Sequence, residues 1–299
     1  MINEKYMERL LVKPGKKISL TDFNTGWAQS DALRDAGKNA VKQRAAEILE
    51  ENRAALAEAQ ELLWADKRYS ILVILQGMDT AGKDGTIKHV MSGVNPQGCQ
   101  VMSFSVPTKY ELDHTFLWRF WKHMPRRGEI GIFNRSYYED VLVPKVHPVI
   151  LERQQLPPGY GSDAFWEARY EDIRAFERHH HANGTIILKF FLNISKEEQK
   201  ERLLSRLKTE KKQWKFSLSD LSERQYWSHY QAAYEEAMFQ TSCDDAPWYV
   251  IPADYKWVAR TLVADIIVRA ISRLDLRYPE TSVEQMKEIE KARIQLESE

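Results

Sequence analysis

The chain carries five short apolar runs that have the pattern of β-strands in a parallel sheet. Each run is nearly continuous rather than alternating, as expected of a strand that is buried on both faces. The predicted strands are SILVILQG (70–77), VMSFSV (101–106), EIGIFN (129–134), TIILKFFLNI (185–194) and WYVIPA (248–253).

The segments between these runs predict helices. Their apolar residues recur three or four positions apart, and most segments are long enough to cross back over a sheet. The predicted helices cover residues 41–65, 82–92, 111–123, 164–182, 196–208, 223–240 and 256–277. Strands that alternate with helices in this way predict an α/β fold, a three-layer sandwich around a five-stranded parallel sheet.

The sequence shows no internal repeat and no low-complexity linker that would divide it. We therefore expect a single domain over residues 1–299. The first 40 residues are polar and irregular in pattern, so residues 1–69 are interpreted as an N-terminal helical extension. Residues 280–299 are expected to form a charged tail.

Composition and charge exclude several classes of protein. Of the 299 residues, 43% are hydrophobic and 29% are charged, as in ordinary globular proteins. The formal net charge is zero, so any anion must bind at a local cluster of cations. No apolar run reaches the roughly 18 residues of a membrane span, and the N-terminus lacks a signal-peptide pattern. We expect a cytoplasmic homo-oligomer with no membrane and no nucleic-acid partner.

Residues 77–83 (GMDTAGK) follow the first predicted strand and match the G-x-x-x-x-G-K pattern of a phosphate-binding P-loop. In such a loop, backbone N–H groups and the start of the next helix surround a phosphate, which the lysine also contacts. Glycine is needed where the backbone turns tightly against the phosphate. The predicted phosphate-binding residues of the loop are Gly77, Ala81, Gly82, Lys83, Asp84 and Gly85.

Two aspartates in this loop need an explanation, because carboxylates repel phosphates. A divalent cation between them removes the repulsion, so Asp79 is predicted to bind Mg²⁺, with Mn²⁺ as the alternative ion. The other interpretation of Asp79 is a turn residue that hydrogen-bonds its own backbone. Asp84 follows Lys83, where P-loops usually have a metal-binding Ser or Thr; an acid there also stabilises a helix start.

The third predicted strand ends in polar residues, NRSYYED (134–140), which should lie beside the P-loop. Asn134 is predicted as a second metal ligand, and Arg135 as a phosphate ligand, because its forked donors match phosphate oxygens. The alternatives are an asparagine in a strand-end turn and an arginine in a surface ion pair. The candidate catalytic residues are therefore Asp79, Lys83, Asn134 and Arg135.

Eight segments together resemble the family-2 polyphosphate kinases over about residues 40–278. They are GMDTAGKDGTIKHVMSGVNPQG (77–98), VPT (106–108), FLWR (116–119), PRRGE (125–129), FNRSYYEDVLV (133–143), ILKFFLNISKEEQKERL (187–203), WKFSLSDL (214–221) and APWYVIPAD (246–254). The segment FNRSYYEDVLV (133–143) is most similar to the corresponding motif of the subgroup called class III. Many family members have Asp where this chain has Asn134.

This resemblance implies a P-loop kinase fold related to thymidylate kinase, with a helical lid. It also implies reversible phosphoryl transfer from inorganic polyphosphate to AMP and ADP, which gives ADP and ATP. Adenine nucleotides are the implied acceptors, and guanine nucleotides stay open. The residues predicted to bind the nucleotide are Thr108, Arg119, Arg135 and Glu139. The alternatives are a surface arginine for Arg119 and an acid at a helix start for Glu139.

Residues 200–215 (KERLLSRLKTEKKQWK) carry seven Lys or Arg against two Glu, where P-loop kinases have a lid. Such an excess suits a polyanion, although a charge run is often only a solvated helix face. We predict a lid over about 205–223, with polyphosphate ligands Arg202, Arg206, Lys211, Lys212 and Lys215. Related sequences often have Asp-x-Pro where this chain has Lys208-Thr209-Glu210, which leaves the hinge geometry open.

Two other functions remain open at the level of the sequence. One is an ATP-dependent nucleoside monophosphate kinase of the same fold, which would use the P-loop for ATP. The other is a module that binds polyphosphate or nucleotide without catalysis.

Overall fold

Residues 2–214 and 216–299 are described here, from a computed structural model. Their five strands form one parallel sheet in the order β2-β3-β1-β4-β5. All five predicted strands are confirmed, and only the second lies earlier in the chain than expected. The strands are β1 (Ser70–Gln76), β2 (Cys99–Ser103), β3 (Ile130–Asn134), β4 (Thr185–Asn193) and β5 (Trp248–Pro252).

The helices occupy both faces of this sheet. Before β3 they are α1 (Glu4–Glu8), α2 (Asp31–Ala36), α3 (Lys38–Asp66), α4 (Lys83–Val90), α5 (Lys109–Leu112) and α6 (Trp118–Trp121), with 3-10 turns at Leu20–Asp22 and Pro96–Gly98. Between β3 and β5 they are α7 (Glu139–Val146), α8 (Val149–Glu152), α9 (Asp163–Ala182), α10 (Lys196–Lys208), α11 (Glu210–Gln213), α12 (Leu218–Gln225) and α13 (Trp227–Thr241). After β5 come α14 (Lys256–Ser272) and α15 (Val283–Glu297).

The position of β1 in the core explains why its sequence is an unbroken apolar run. Every residue of β1 is buried, because helices cover both faces of the sheet at this central strand. Helices α3, α4 and α14 pack together on one side, and α7, α9 and α13 on the other. The predicted three-layer α/β sandwich is confirmed. Its parallel strands bring the ends of β1, β2 and β3 to one edge, where Asn134 lies opposite both Leu75 and Ser103.

The N-terminal 40 residues are more ordered than their polar pattern predicts. Leu11 forms an antiparallel bridge with Tyr249 of β5, and Val12 N donates to Trp248 O at 2.9 Å. An edge strand has unpaired backbone groups, and this segment satisfies those of β5. Leu10 and Leu20 are buried in the same core. The expectation of an irregular polar segment is therefore wrong for residues 4–12.

Two predicted helices are divided. The segment 111–123 forms α5 and α6 because Thr108 starts a helix early with a capping box, and the ring of His114 then binds Tyr110 O at 2.8 Å. The segment 223–240 is split at Tyr226 into α12 and α13.

The predicted charged tail contains a helix, α15, that Ser282 caps. No residue of α15 is buried. Over the described ranges, none of the helices combines the length and the apolar character of a membrane span.

Candidate active site

The P-loop connects β1 to α4 at the carboxyl edge of the sheet. Gly77 has φ +151°, and a methyl group there would lie 2.9 Å from Leu192 O, so only glycine fits. Gly82 caps α4 in the left-handed region, with φ +110°. Thr80 shares that region at φ +65°, which is a strained conformation for a residue with a branched side chain. The loop therefore turns as the sequence predicts.

Lys83 begins α4 and folds back over the loop. Its ammonium donates to Gly77 O at 2.6 Å. Burial lowers the pKa of Lys83, while the neighbouring carboxylates of Asp79 and Glu139 oppose that effect. A bound phosphate would add negative charge beside this ammonium and favour its charged form.

The two predicted metal ligands have different hydrogen-bond partners in the structure. Asn134 donates its amide Nδ2 to Asp84 Oδ1 at 2.9 Å and to Ser103 Oγ at 3.3 Å. Asp79 instead lies 3.5 Å from Arg135 Nη2. Asp79 and Asn134 therefore have different partners in the structure, and their joint role as metal ligands stays a prediction. Asp84 takes the place beside Asn134, in addition to any role at the start of α4.

The oxygen donors present fit Mg²⁺ in kind. Asp84 and Asn134 together offer carboxylate and amide oxygens beside the loop, and Mg²⁺ commonly uses one or two carboxylates plus phosphate oxygens. Asp79 adds a second carboxylate to the lining of the same cavity as Asp84. In the described part of the chain, no group of three or more His, Cys, Asp or Glu side chains is placed to hold a metal. A metal here would therefore need oxygens from a bound phosphate as well.

Arg135 occupies the first position after β3 and has φ +64°, a left-handed conformation that costs a non-glycine residue on the order of 1 kcal/mol. Its backbone N–H donates to Leu75 O at 3.1 Å, which fixes the turn to the end of β1. The side chain is 41% exposed and reaches toward Asp79. Backbone strain of this kind is common at functional sites.

Two cavities meet at the P-loop. One, here called the lid cavity, has a volume of about 590 Å³ and lies between the loop, α10, α11 and α14. The other, the Glu139 cavity, has a volume of about 460 Å³ and lies toward α6, α7 and α13. The residues that line both cavities are Asp79, Arg135 and Asp220. These three side chains therefore mark the point where molecules in the two cavities would touch.

The lid cavity is strongly cationic. Three carboxylates line it, those of Asp79, Asp84 and Asp220. Seven cations face them, namely Lys83, Arg135, Arg202, Arg206, Lys212, Lys256 and Arg260. Burial and the nearby Asp79 raise the pKa of Asp220, which forms an ion pair with Arg206 at 3.1 Å. The net positive lining suits an anion with several charges.

Arg202 has a structural task that the sequence prediction missed. Its Nη1 donates to Thr80 O and Ala81 O, both at 2.9 Å, and its Nη2 donates to Ala253 O and Asp254 O at 2.6 and 2.9 Å. Its Nε donates to Glu198 at 2.8 Å. All five donors are thus engaged, so Arg202 fixes the P-loop to the loop after β5 and adds charge rather than hydrogen bonds to the cavity.

The other predicted lid residues divide into two groups. Arg206 and Lys212 line the lid cavity, whereas Lys211 lies on α11 away from its lining. Lys215 lies outside the described residues. At the altered hinge, Thr209 is extended, with φ −107° and ψ 107°, and separates α10 from α11. The segment predicted as a lid, about 205–223, therefore contains the end of α10, all of α11 and the start of α12.

The Glu139 cavity contains two of the predicted nucleotide ligands besides Arg135. Arg119 is 7% exposed, and Nη2 donates to Ser105 O at 2.7 Å. Its Nε and Nη1 have no hydrogen-bond partner within the described ranges, although Nη1 is 3.6 Å from Glu111. Thr108 does not line the cavity, because its hydroxyl and N–H cap α5. Arg119 is thus a buried cation with unused donors.

Burial raises the pKa of two acids near this cavity. The pKa of Glu139 is raised although the cation of Arg135 lies nearby. Glu139 accepts a hydrogen bond of 3.0 Å from the side-chain amide of Gln76, in the orientation that gives both the nitrogen and the oxygen of that amide a partner. Asp140 has its pKa raised to about 6, against the opposing charges of Arg169 and Arg119. The inner wall of the cavity is therefore a partly desolvated, charged surface.

Lys256 and Arg260 are the functional candidates that the sequence analysis missed. Both belong to the first turns of α14, a helix whose other residues are mostly apolar and buried. Cations are disfavoured at a helix N-terminus because of the helix dipole. Two of them at i and i+4, just after the predicted strand 248–253, could have been recognised as a signal of an anion site.

Comparisons with known proteins agree with this geometry. The sequence model of the family described as Polyphosphate kinase 2 (PPK2) matches residues 39–279. An ADP-polyphosphate phosphotransferase of Rhodopseudomonas palustris is 50% identical over 256 residues, which cover 85% of this chain and 89% of that protein. An AMP/ADP-polyphosphate phosphotransferase of Meiothermus ruber is 46% identical over 274 residues, covering 92% and 96%.

A solved structure also matches. The crystal structure of Polyphosphate Kinase 2 from Arthrobacter aurescens TC1 superimposes with a TM-score of 0.76 at 39% sequence identity. The match covers 93% of this chain and 98% of that chain. The fold predicted from the apolar pattern is therefore shared with a protein of known structure.

Proposed function

The chain belongs to the polyphosphate kinase 2 family, and from that membership we propose that it transfers the terminal phosphoryl group of inorganic polyphosphate to ADP and AMP. The products are ATP and ADP, and the reaction is reversible. The observation that supports this best is the meeting of two cavities at Asp79 and Arg135, one of them lined by seven cations. A donor and an acceptor can thus approach one point from opposite sides.

The lid cavity is proposed as the donor site. Polyphosphate carries about one negative charge per phosphate, and no base or sugar needs a specific pocket. Lys83 and Arg135 would hold its terminal phosphate, while Arg206 and Lys212 would contact the phosphates that follow. Lys211 and Lys215 are proposed as further ligands of the donor, because they belong to the same cation-rich segment of the sequence.

The Glu139 cavity is proposed as the acceptor site. The unused Nε and Nη1 donors of Arg119 are suited to phosphate oxygens, because hydrogen bonds between charged groups are stronger than neutral ones. Glu139 lies on the inner wall and would limit how deeply the acceptor phosphates enter. AMP and ADP are both proposed as acceptors, with guanine nucleotides as the alternative acceptors.

Phosphoryl transfer requires alignment and charge neutralisation more than covalent catalysis. The accepting oxygen of a nucleotide phosphate is already ionised at neutral pH, so no residue needs to act as a general base. Lys83 and Arg135 stabilise charge on the transferring group, and the lid excludes water that would otherwise hydrolyse the donor. Asp84, Asn134 and Asp79 would hold Mg²⁺, or Mn²⁺, which supplies further positive charge when bound.

A cytoplasmic location and a symmetric homo-oligomer belong to the same proposal. Cys99 and Cys243 are free thiols, as is usual in a reducing compartment. The cytoplasm also contains the proposed nucleotide substrates and Mg²⁺. Symmetric association remains the general expectation for such enzymes.

The rival function is an ATP-dependent nucleoside monophosphate kinase. The proposal is tested by a time course with AMP, Mg²⁺ and polyphosphate in the absence of ATP. We expect ADP to appear first and ATP afterwards, with polyphosphate consumed in step. If AMP is converted only when ATP is added, and polyphosphate has no effect, the protein is an ATP-dependent nucleoside monophosphate kinase instead. Binding of polyphosphate without any product would indicate a non-catalytic module.

A further inference from the structure

An apolar groove, separate from both cavities at the P-loop, lies between the N-terminal segment, α2, α3 and α14. Its volume is about 750 Å³. The large apolar side chains that line it include Trp27, Leu33, Val41, Ile48, Trp257 and Leu262. Lys5, Arg9 and Arg44 line it too, and among the described residues no Asp or Glu does. The groove therefore combines apolar walls with positive charge.

Two of these three cations have no acidic partner. Arg44 is paired with Glu47 and Glu51 on α3. Within the described ranges, exposed Lys5 and Arg9 form no ion pair. An acidic segment bound in the groove would therefore meet two cations that are free to pair with it.

Helix α15 has the complementary character. Its five large apolar side chains are all 58–69% exposed. Ile289 and Leu296 are seven residues apart and share one face, with Met286 one turn before Ile289. Val283 and Ile294 lie about 120° away around the helix. Residues 283–299 contain five Glu against three Lys or Arg. One face of α15 therefore matches the groove in apolarity, and the segment matches it in charge.

The groove is hard to reach for α15 of the same chain. Arg277 N donates to Asp66 Oδ2 at 2.8 Å, which fixes the chain at the last residue of α3. The groove is lined by the first part of α3, and Ile48 is about 27 Å from Asp66 along that helix. The six steps from Arg277 to Val283 span at most about 20 Å. The helix would reach its own groove only with a fully extended linker, whereas a second copy has no such limit.

We propose that α15 of one subunit binds in the groove of a second copy, and that the second copy's α15 binds back in the same way. The dimer is then two-fold symmetric and contains the helix–groove contact twice. Two grooves placed face to face would instead bring Lys5 and Arg9 of both copies together, and their charges would repel. The inference rests on the proposed homo-oligomer, whose interface it names, and it does not depend on the proposed reaction.

The helix side is tested with the variant Ile289→Ser/Leu296→Ser in the full chain. Its matched control is Val283→Ser/Ile294→Ser, which makes similar substitutions on the other side of the same helix. Light scattering after gel filtration gives the mass, and sedimentation velocity over a concentration series gives the Kd of the dimer. We expect the first variant to raise the Kd about 100-fold or more, because four buried apolar side chains are lost per dimer. The control should keep the wild-type Kd.

The groove side is tested by reversing its free charges in Lys5→Glu/Arg9→Glu. The control is Lys13→Glu/Lys16→Glu, at exposed positions of the same segment that do not line the groove. We expect the first variant to raise the Kd about tenfold or more, since an acidic groove repels an acidic helix. Far-UV circular dichroism checks that each variant folds.

Three results would overturn the inference. The first is a wild type that stays monomeric at every concentration; faster proteolysis of α15 in Ile289→Ser/Leu296→Ser than in its control would then place the helix in its own groove. The second is an unchanged Kd in that variant, which excludes this face of α15. The third is an unchanged Kd in Lys5→Glu/Arg9→Glu, which excludes the groove. A dimer that forms no ATP from polyphosphate would overturn the proposed reaction and leave this interface standing.

Discussion

Arg119 is the single residue at which the acceptor phosphate is proposed to bind. It is buried, only one of its nitrogens donates to the protein within hydrogen-bond distance, and it faces the Glu139 cavity. A buried arginine with unused donors is costly unless a ligand completes its hydrogen bonds. The cation would therefore serve the nucleotide rather than the stability of the free protein.

We predict that Arg119→Gln raises the KM for ADP by roughly 10- to 100-fold, because a hydrogen bond to a charged group contributes about 1.5–3 kcal/mol. The KM for polyphosphate should change little, since Arg119 does not line the lid cavity. The control is Lys122→Gln, which removes a charge from an exposed residue at the end of α6. Steady-state kinetics with each substrate varied in turn gives both constants. A folded variant with an unchanged KM for ADP would remove Arg119 from the acceptor site.

The sequence could predict which residue types surround the P-loop but not how they pair. The pattern of the loop and the strand end correctly brought Asp79, Asp84, Asn134 and Arg135 to one edge of the sheet. Whether Asn134 meets Asp79 or Asp84 depends on the direction of each side chain, and this follows from the turn after Gly77 and the left-handed backbone of Arg135. No spacing rule contains that information.

At the scale of elements, α10 is joined to the P-loop through Arg202. The four carbonyls that it binds belong to two loops, one after β1 and one after β5. Helix α10, which leads into the predicted lid, thus also fixes the P-loop. Because loop geometry decides phosphate alignment, this link couples the stability of the fold to catalysis.

We predict that Arg202→Lys lowers the free energy of unfolding by about 2–3 kcal/mol, since one ammonium cannot satisfy four carbonyls and leaves buried acceptors unpaired. kcat should fall about tenfold or more, because a shift of the loop misaligns the donor. Urea unfolding and steady-state kinetics measure the two effects. The matched control is Arg178→Lys, on the exposed surface of α9, which should be close to wild type. Wild-type stability and kcat in Arg202→Lys would contradict the role of Arg202 as a link.

The elements that the sequence predicts well are those with long, regular apolar patterns. β1 and β4 are fully or almost fully buried, so their runs are unambiguous. The secondary-structure prediction is wrong where a short local interaction determines the structure. The capping box at Thr108 divides a predicted helix. The N-terminal segment is ordered because it hydrogen-bonds to the unpaired backbone groups of β5. The Ser282 cap could have predicted α15, whose apolar positions are too scattered to indicate a packed helix.

At the scale of the whole molecule, the chain combines zero net charge with one strongly cationic cavity. Long-range attraction of polyphosphate therefore arises from a local concentration of charge, and it should weaken as salt rises. The seven cations come from the P-loop, the end of β3, α10, α11 and α14, which are far apart in sequence. Only the fold assembles them, which is why the charge run at 200–215 revealed just part of the site.

The most direct test of polyphosphate as the donor is ATP formation from ADP, Mg²⁺ and polyphosphate with no other phosphoryl donor present. Luciferase detection is followed for the wild type and for Lys83→Met, in which the ammonium at the P-loop is lost. We predict that the wild type forms ATP and that the variant, while folded, loses about 100-fold or more in kcat, the usual cost of removing one such electrostatic contact. No ATP from the folded wild type, or an undiminished rate in Lys83→Met, would contradict phosphoryl transfer from polyphosphate at this P-loop.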